Sequence, residues 1–600
     1  MSLFSAFDKN SYRQWVDQLQ KELKGADVSR FTHRNIEELS IPTYLDAGER
    51  RNYPSPLPFR EQQHEHAQGS NSWTICAEIQ TDDLPASNKS ALHLLECGAD
   101  ALRIKGIGIS NQDELRLVLR NIRPEYIFTH FDCGEANPSL LFMFADELKK
   151  MEVDHEQIRG SIGFDPLGDF AFTGAMESGI EDTMHICKSL SAFAAASLPN
   201  FKTICLRGNN WHNAGASITG ELAYLLAAGV EYLSMPGITD KTAAQICVRM
   251  AIGADFFAGI AKIRSIRLLW ARMLSGFGLD PSAYPLRISA ETTSRNRTIF
   301  DPWNNQLRAT TEAMAAVIAG ADELTVHPYN AVFAKPDEHA QRIALNVHHI
   351  LRYESHLEAV ADAAAGADYI EKLTEQITAA AWDQFLSLEN AGGFLAALKK
   401  GIIQDQIASN RKTLEQDFRT GKRALIGINK FANAAEAGNE PLLHQRDPLS
   451  KLPLIKPVEP FREAALIEQI RLKLSGMNPP PAAFLALTGK HQRAFDRASF
   501  SADFMAMAGI ISLQGEPAVA LIDQLHSHHA KKAMVIILCG ADEDYPEAVA
   551  TIRKDTWPDV PVLIAGKPSG AEQLLADGIS GFIYLGCDAL PVLYQLTGNA

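Results

Sequence analysis

Between residue 73 and about residue 330 the chain alternates short β-rich runs with helical segments, and this alternation constrains the fold more than any other feature. The runs are Trp73–Gln80, Ala101–Ile109, Glu125–Phe131, Ile158–Phe164, Phe201–Arg207, Glu231–Met235, Leu286–Glu291 and Glu323–His327. Runs of this kind, each followed by room for a crossover helix, predict an α/β chain whose parallel strands close into a (β/α)8 TIM barrel. The interval Lys241–Gly276 is far longer than one crossover and contains Gly253 and Gly259, so two or more packed helices are expected there.

Residues 1–72 read as an N-terminal helix and an extended arm. Tyr12, Trp15, Val16, Leu19 and Leu23 have the spacing of an amphipathic helix over Asn10–Leu23 that stops near Gly25. The barrel with its C-terminal helices, Pro336–Glu354 and Ile370–Lys399, is assigned to 73–431, with Ala424–Lys430 as a short apolar segment. From 432 to 481, Pro441, Pro448, Pro453, Pro457, Pro460 and Pro479-Pro480-Pro481 mark an interdomain linker around one helix at Phe461–Leu474. The remainder, 482–600, cycles strand and helix through Phe484–Leu487, Ile510–Leu513, Met534–Cys539, Val562–Ala565 and Phe582–Leu585, with helical runs at Pro517–His528 and Gly570–Ala576. That pattern fits a flavodoxin-like, doubly wound domain.

A net charge of −15 repels phosphate backbones and anionic membrane surfaces, so neither nucleic acid nor membrane is an expected partner. The start Met1–Asp8 carries neither a basic leader nor a secretory apolar core, and a cytoplasmic protein is expected. The 8 cysteines are scattered without a Cys-x-x-Cys pair and read as reduced core residues.

Several segments carry a family resemblance. Gly253-Ala254-Asp255-Phe256-Phe257, Ala261–Ala271, Leu286–Thr293, Asp301-Pro302-Trp303-Asn304-Asn305, Leu307–Ala321, Ile350–Ser355, Gly392-Gly393 and Ile426–Lys430 are similar, in order, to runs of the methylmalonyl-CoA mutase family. Lys21–Asp27 resembles the opening of its small-subunit branch. The resemblance implies a barrel in which active members interconvert methylmalonyl-CoA and succinyl-CoA through the radical chemistry of adenosylcobalamin, held by a C-terminal domain.

The same resemblance implies that this chain lacks the groups such chemistry uses. Active B12 domains carry an Asp-x-His-x-x-Gly loop whose imidazole ligates cobalt; here Thr488-Gly489-Lys490-His491-Gln492-Arg493-Ala494 stands in its place. Arg493 or Ala494 falls near the histidine position, and an arginine is permanently protonated and cannot ligate. His491 has Gly489 where the acid belongs and Ala494 where the glycine belongs. Ala565-Gly566-Lys567 puts Lys567 where active domains have glycine beside the cofactor tail, so a closed groove is expected. In the barrel, Asn209 and Asn210 replace the Tyr-His that follows the fifth strand. Ser289 and Glu291 lie in the run replacing His-Ser-Gln-Thr-Ser, with Glu291 unfavourable to an anionic substrate. His212 is read as structural. The family's entry segment is unmatched by Thr43–Glu49 and Tyr53–Phe59.

The expectation is therefore a non-catalytic small subunit of a heterodimer. No catalytic, cofactor-binding or metal residue is expected on this chain, and adenosylcobalamin and the acyl-CoA substrate are expected on the large-subunit partner. The helix around Trp15 and the linker around Phe461 are natural clasping elements. Two rivals stand beside this reading: a self-sufficient cobalamin-dependent acyl-CoA mutase, binding through His491 or without a protein ligand, and a transient regulatory or chaperone-like module for the mutase. His64-Glu65-His66 lies outside a strand end and is weak as a metal motif. His348-His349 and His526-Ser527-His528-His529 read as solvated surface. Gly106-Ile107-Gly108 lacks the third glycine of a dinucleotide loop.

Overall fold

The computed structural model describes residues 11–24, 33–34, 39–41, 54–56, 59–60 and 70–596, apart from 107, 135–136, 177, 236–238, 443–452, 490–491, 518, 528–529, 531 and 555–559. Its larger unit is a closed parallel barrel of β1 Thr74–Gln80, β2 Ala101–Lys105, β3 Phe128–Asp132, β4 Arg159–Phe164, β5 Phe201–Arg207, β6 Ile246–Ile252, β7 Arg287–Thr292 and β8 Glu323–Thr325. Closure is made by β8, whose Glu323 lies opposite both Ser289 of β7 and Thr74 of β1. Side-chain caps start the crossover helices where the strands end. Asp83, Asp165, Ser217 and Asp255 each accept a backbone N–H of the first turn.

The sixth strand is not Glu231–Met235. Residues 231–233 are the last turn of the helix Ile218–Leu233, and the strand is Ile246–Ile252, inside the interval expected to be helical throughout. All of its residues are buried, and a strand covered on both faces shows no alternation by which to tell it from a buried helix. The interval is thus the helix Thr239–Gln245, β6 and the helix Phe256–Gly276. A further helix, Ile402–Arg419, follows the expected C-terminal helices of the barrel. It turns Ile403, Ile407, Leu414 and Phe418 inward at helical spacing.

The smaller unit is the 5-stranded parallel sheet of β9 Ala482–Leu487, β10 Ile511–Gln514, β11 Val535–Cys539, β12 Val562–Ala565 and β13 Gly581–Ile583, in the order β10-β9-β11-β12-β13. This is the flavodoxin-like order, whose reversal point lies between β9 and β11. The two units share apolar packing: Ile299, Phe300, Phe418, Leu425 and Ile428 cluster with Ala483, Leu485 and Ile537 of the sheet.

The linker is a fastened strap. The N–H groups of Val458, Phe461 and Glu463 donate to the carbonyls of Ala171 (2.9 Å), Asn213 (2.7 Å) and Arg295 (2.9 Å), and its helix is Ala465–Ser475. Phe461 is buried beneath the Arg411 guanidinium, 4.6 Å from its ring centre. It therefore serves the intramolecular seam and is not free to clasp a partner. The N-terminal helix spans Tyr12–Glu22 with a Ser11–Gln14 capping box, and Trp15, Val16 and Leu19 are half-buried.

His348 and His349 are not solvated. Nδ1 of the buried His348 accepts from Trp73 Nε1 at 3.2 Å, and His349 Nε2 donates to the Cys97 carbonyl at 2.9 Å. All 8 cysteines are free thiols, and every one except the half-buried Cys97 is buried. No helix among the described residues is long and apolar enough to cross a membrane.

Candidate functional site

Alternate residues of a barrel strand face the axis, and in this chain many of those positions carry charge. Register sets Glu78 of β1 opposite Arg103 of β2, Arg103 opposite His130 of β3, Arg249 of β6 opposite Ser289 of β7, and Ser289 opposite Glu323 of β8. Arg103 is the hub. Its Nη1 donates to Thr325 Oγ1 (3.0 Å) and lies 3.4 Å from Glu78 and 3.7 Å from Glu291. Its Nη2 donates to Ser289 Oγ (2.9 Å) and Glu323 Oε1 (3.0 Å).

Further pairs extend this network toward the C-terminal mouth of the barrel. Lys105 Nζ sits 3.3 Å from Glu78, Arg249 donates to Asp132 at 2.6 Å, and Arg207 joins Asp132 at 3.8 Å and Asp169. His327 donates from Nδ1 to the Thr292 carbonyl at 2.7 Å, leaving Nε2 3.6 Å from Glu78. A buried charge is tolerable only when countercharged and hydrogen-bonded, and here each has such partners.

The electrostatics follow from these contacts. Burial alone would raise the Glu323 carboxyl, but His130, Arg103 and Arg287 hold it well below the usual carboxylate range. Burial likewise works against Glu78, and Lys105, His327 and Arg103 outweigh it, so Glu78 is also held well down. His130 is lowered by burial, despite Glu323. A neutral His130 then donates from Nε2 to Glu323 at 2.8 Å and accepts at Nδ1 from Ser161 at 2.9 Å. Two groups bring metal-ligand atoms within 4.8 Å of one another, Cys76–His130–Glu323 and Glu78–Glu291–His327. The carboxylates of both groups already face the Arg103 guanidinium.

The structure gathers three of the sequence-derived barrel residues onto this network. Asn209 is buried and donates to Glu291 Oε1 at 2.8 Å, and Ser289 accepts from Arg103 and donates to Glu323 at 2.8 Å. Asn210 is half-buried on the short helix Gly208–Asn213 and has no side-chain bond to the network. The hub, its partners Glu78 and Glu323, and the neighbouring Asp132–Arg249 pair were missed in the sequence. The available signal was a charged residue at an alternating position of an apolar strand, as in Ala101-Leu102-Arg103-Ile104-Lys105.

The second candidate region is the crevice at the carboxyl ends of β9, β11 and β12. There the helix Gln492–Ala506 sends Arg497 across the strand ends, with Nη1 donating to the Gly540 carbonyl (2.6 Å) and to Tyr545 Oη (2.9 Å) and Nη2 to Asp542 (2.7 Å). Burial pushes the Tyr545 hydroxyl up to about 12, and it donates to the Ala565 carbonyl. Gly566 has φ +116°, and a Cβ there would come within 2.8 Å of the Arg497 guanidinium. The side chain over this glycine is therefore Arg497, whereas Lys567 is exposed with Nζ 5.5 Å from the Tyr584 ring centre. Arg493 is exposed and 3.8 Å from Glu543, and Ala494 is buried. His491 lies outside the described residues, as do His64–His66, Thr43–Glu49, Lys490, His528 and His529.

An eight-stranded barrel with ionised residues along its axis, strapped to a doubly wound sheet, defines the class: an α/β protein with a (β/α)8 barrel and a flavodoxin-like parallel sheet. The chain belongs to the methylmalonyl-CoA mutase family, whose sequence model matches residues 104–465. A methylmalonyl-CoA mutase small subunit from Porphyromonas gingivalis is 30% identical over 98% of this chain and 97% of its own length. A second, from Streptomyces virginiae, is 29% identical over 99% of this chain and 97% of its own. A large subunit from Propionibacterium freudenreichii is 29% identical, but over only 54% of this chain and 46% of its own length.

Proposed function

We propose that this chain is the non-catalytic small subunit of a heterodimeric, adenosylcobalamin-dependent methylmalonyl-CoA mutase, and that it stabilises the catalytic large subunit. The observation that carries this reading is the Arg103 hub, which ties Glu78, Glu291 and Glu323 together across the barrel. An acyl thioester threading the axis would have to displace charges that have no water to go to. The near full-length likeness to small subunits, against the partial likeness to a large one, supports the same assignment.

The sheet crevice does not fit the tail of a corrinoid. Its space above Gly566 is taken by Arg497, and Arg493 and Ala494 offer no neutral imidazole. Cofactor and acyl-CoA then reside on the large subunit, in the cytoplasm, and this chain supplies a homologous surface for pairing. Adding adenosylcobalamin and methylmalonyl-CoA to the purified chain tests this: no bound corrinoid spectrum and no succinyl-CoA are expected. Co-expression with a large subunit should give a stable one-to-one complex on gel filtration. Stoichiometric corrinoid uptake with turnover by this chain alone would overturn the assignment, and an association too brief to survive the column would make it a transient module.

A further inference from the structure

Beside the barrel axis, the starts of two long helices converge on one recess. The helix Ile218–Leu233 begins after its cap Ser217 and the helix Phe256–Gly276 after its cap Asp255, and a cavity of about 30 Å3 between them is lined by His212, Gly253, Lys262, Arg295 and Arg423. Each helix start turns N–H groups and the positive end of its dipole toward this space. Helix ends alone make no site, but His212 is an independent observation. It is only 4% exposed, and neither ring nitrogen has a hydrogen-bond partner. Its Nδ1 stops 3.6 Å from Glu221 Oε2. A Cβ on Gly253 would lie 3.1 Å from His212 Nε2 and 3.9 Å from Arg295 Nη2, so both groups front the space that the glycine leaves open.

The charges around the recess come from every element packed against it. Lys262 pairs with Glu221 and donates to the Ala251 carbonyl at 2.7 Å. Arg295 (3.2 Å) and Arg423 (2.7 Å) share the single carboxylate of Glu463 on the strap. Asp255 is engaged in capping, accepting from the Ala258 N–H at 3.2 Å. Three cations face three anions, of which Asp255 caps one helix start and Glu221 lies in the first turn of the other, so the feature of the recess that its own charges do not satisfy is the buried His212 ring. Burial first, then Arg295, Lys262 and Arg423, hold His212 neutral well below its ordinary range.

We propose that this recess binds a small oxyanion, either inorganic phosphate or the phosphate or carboxylate end of a metabolite, with His212 Nε2 and Arg295 as its side-chain donors. An anion there reverses the field that suppresses protonation of His212. The imidazolium then donates Nε2–H to the anion and Nδ1–H toward Glu221, so binding takes up a proton.

The test is calorimetric titration of the full-length chain at pH 6.5 and constant ionic strength, in two buffers of different ionisation heat, with phosphate, sulfate and acetate as separate titrants. One saturable site with proton uptake is expected, and whether phosphate or acetate binds more tightly identifies the anion source. His212→Gln should weaken binding by about tenfold or more, the worth of a charge-assisted hydrogen bond, and remove the proton uptake. Gly253→Ala, which keeps His212 but fills the space beside it, should also abolish binding. No saturable heat with any of the three anions, or unchanged affinity in both variants, overturns the proposal.

Discussion

The barrel axis and the sheet crevice are both occupied by the protein's own side chains, but by different physics. At the axis, charges contributed by seven strands are gathered together and each depends on the others. In the crevice a single Arg497, about a quarter exposed, reaches over two strand ends from one helix. The difference teaches that closure of the barrel is part of its folding energetics, whereas closure of the crevice is a local, replaceable contact.

Breaking the hub should therefore have the largest effect. Arg103→Met leaves Glu78, Glu291 and Glu323 without their shared cation and should cost about 3–5 kcal/mol of stability, read as a lower urea midpoint. Adding Glu323→Gln to that variant should recover part of the loss, since the two changes act on one network. Additive losses would mean the axis is not a coupled unit.

The next effect is on the acid limb of the stability curve. His348 is lowered to about 3 from an ordinary 6.5, by burial first and then by Arg352 and His349. The unfolded chain thus binds this proton between those values while the folded one does not. Stability falls as pH drops below about 6.5, with this group contributing about 1.4 kcal/mol per pH unit. His348→Gln should flatten the acid limb by that slope, and an unchanged slope in urea titrations would falsify the assignment.

A smaller loss is expected at the crevice. Arg497→Ala removes hydrogen bonds to Gly540, Tyr545 and Asp542 and should cost about 1–2 kcal/mol. It opens the space above Gly566 yet should yield no corrinoid absorbance change, because no ligand is thereby created. The smallest effect belongs to Arg493→Ala: its exposed pair with Glu543 should be worth at most about 0.5 kcal/mol in a thermal melt.

How far the sequence was legible varied with how each residue is covered. Seven of the eight predicted barrel strands coincide with or overlap observed ones, because turn signals and β-rich runs are local. Ile246–Ile252 escaped because complete burial erases periodicity. His348 was misjudged because its partner, Trp73, is 275 residues away in the chain. Glu291 was noticed as an unfavourable charge, but its role depends on Arg103 and Asn209, from β2 and the short helix after β5. Lys567 was expected to close the crevice, yet position along the chain did not reveal that Arg497, 70 residues earlier, reaches Gly566 first.

The order of strands and helices, the strap of prolines and the family itself were decided by local pattern and motif order, which need only neighbours along the chain. What the charged residues do was decided by closure of the barrel. Only when β8 meets β1 do Arg103, Glu78, Glu291 and Glu323 share one water-poor interior. In such a medium the energy of each charge is set by partners that sequence separation conceals.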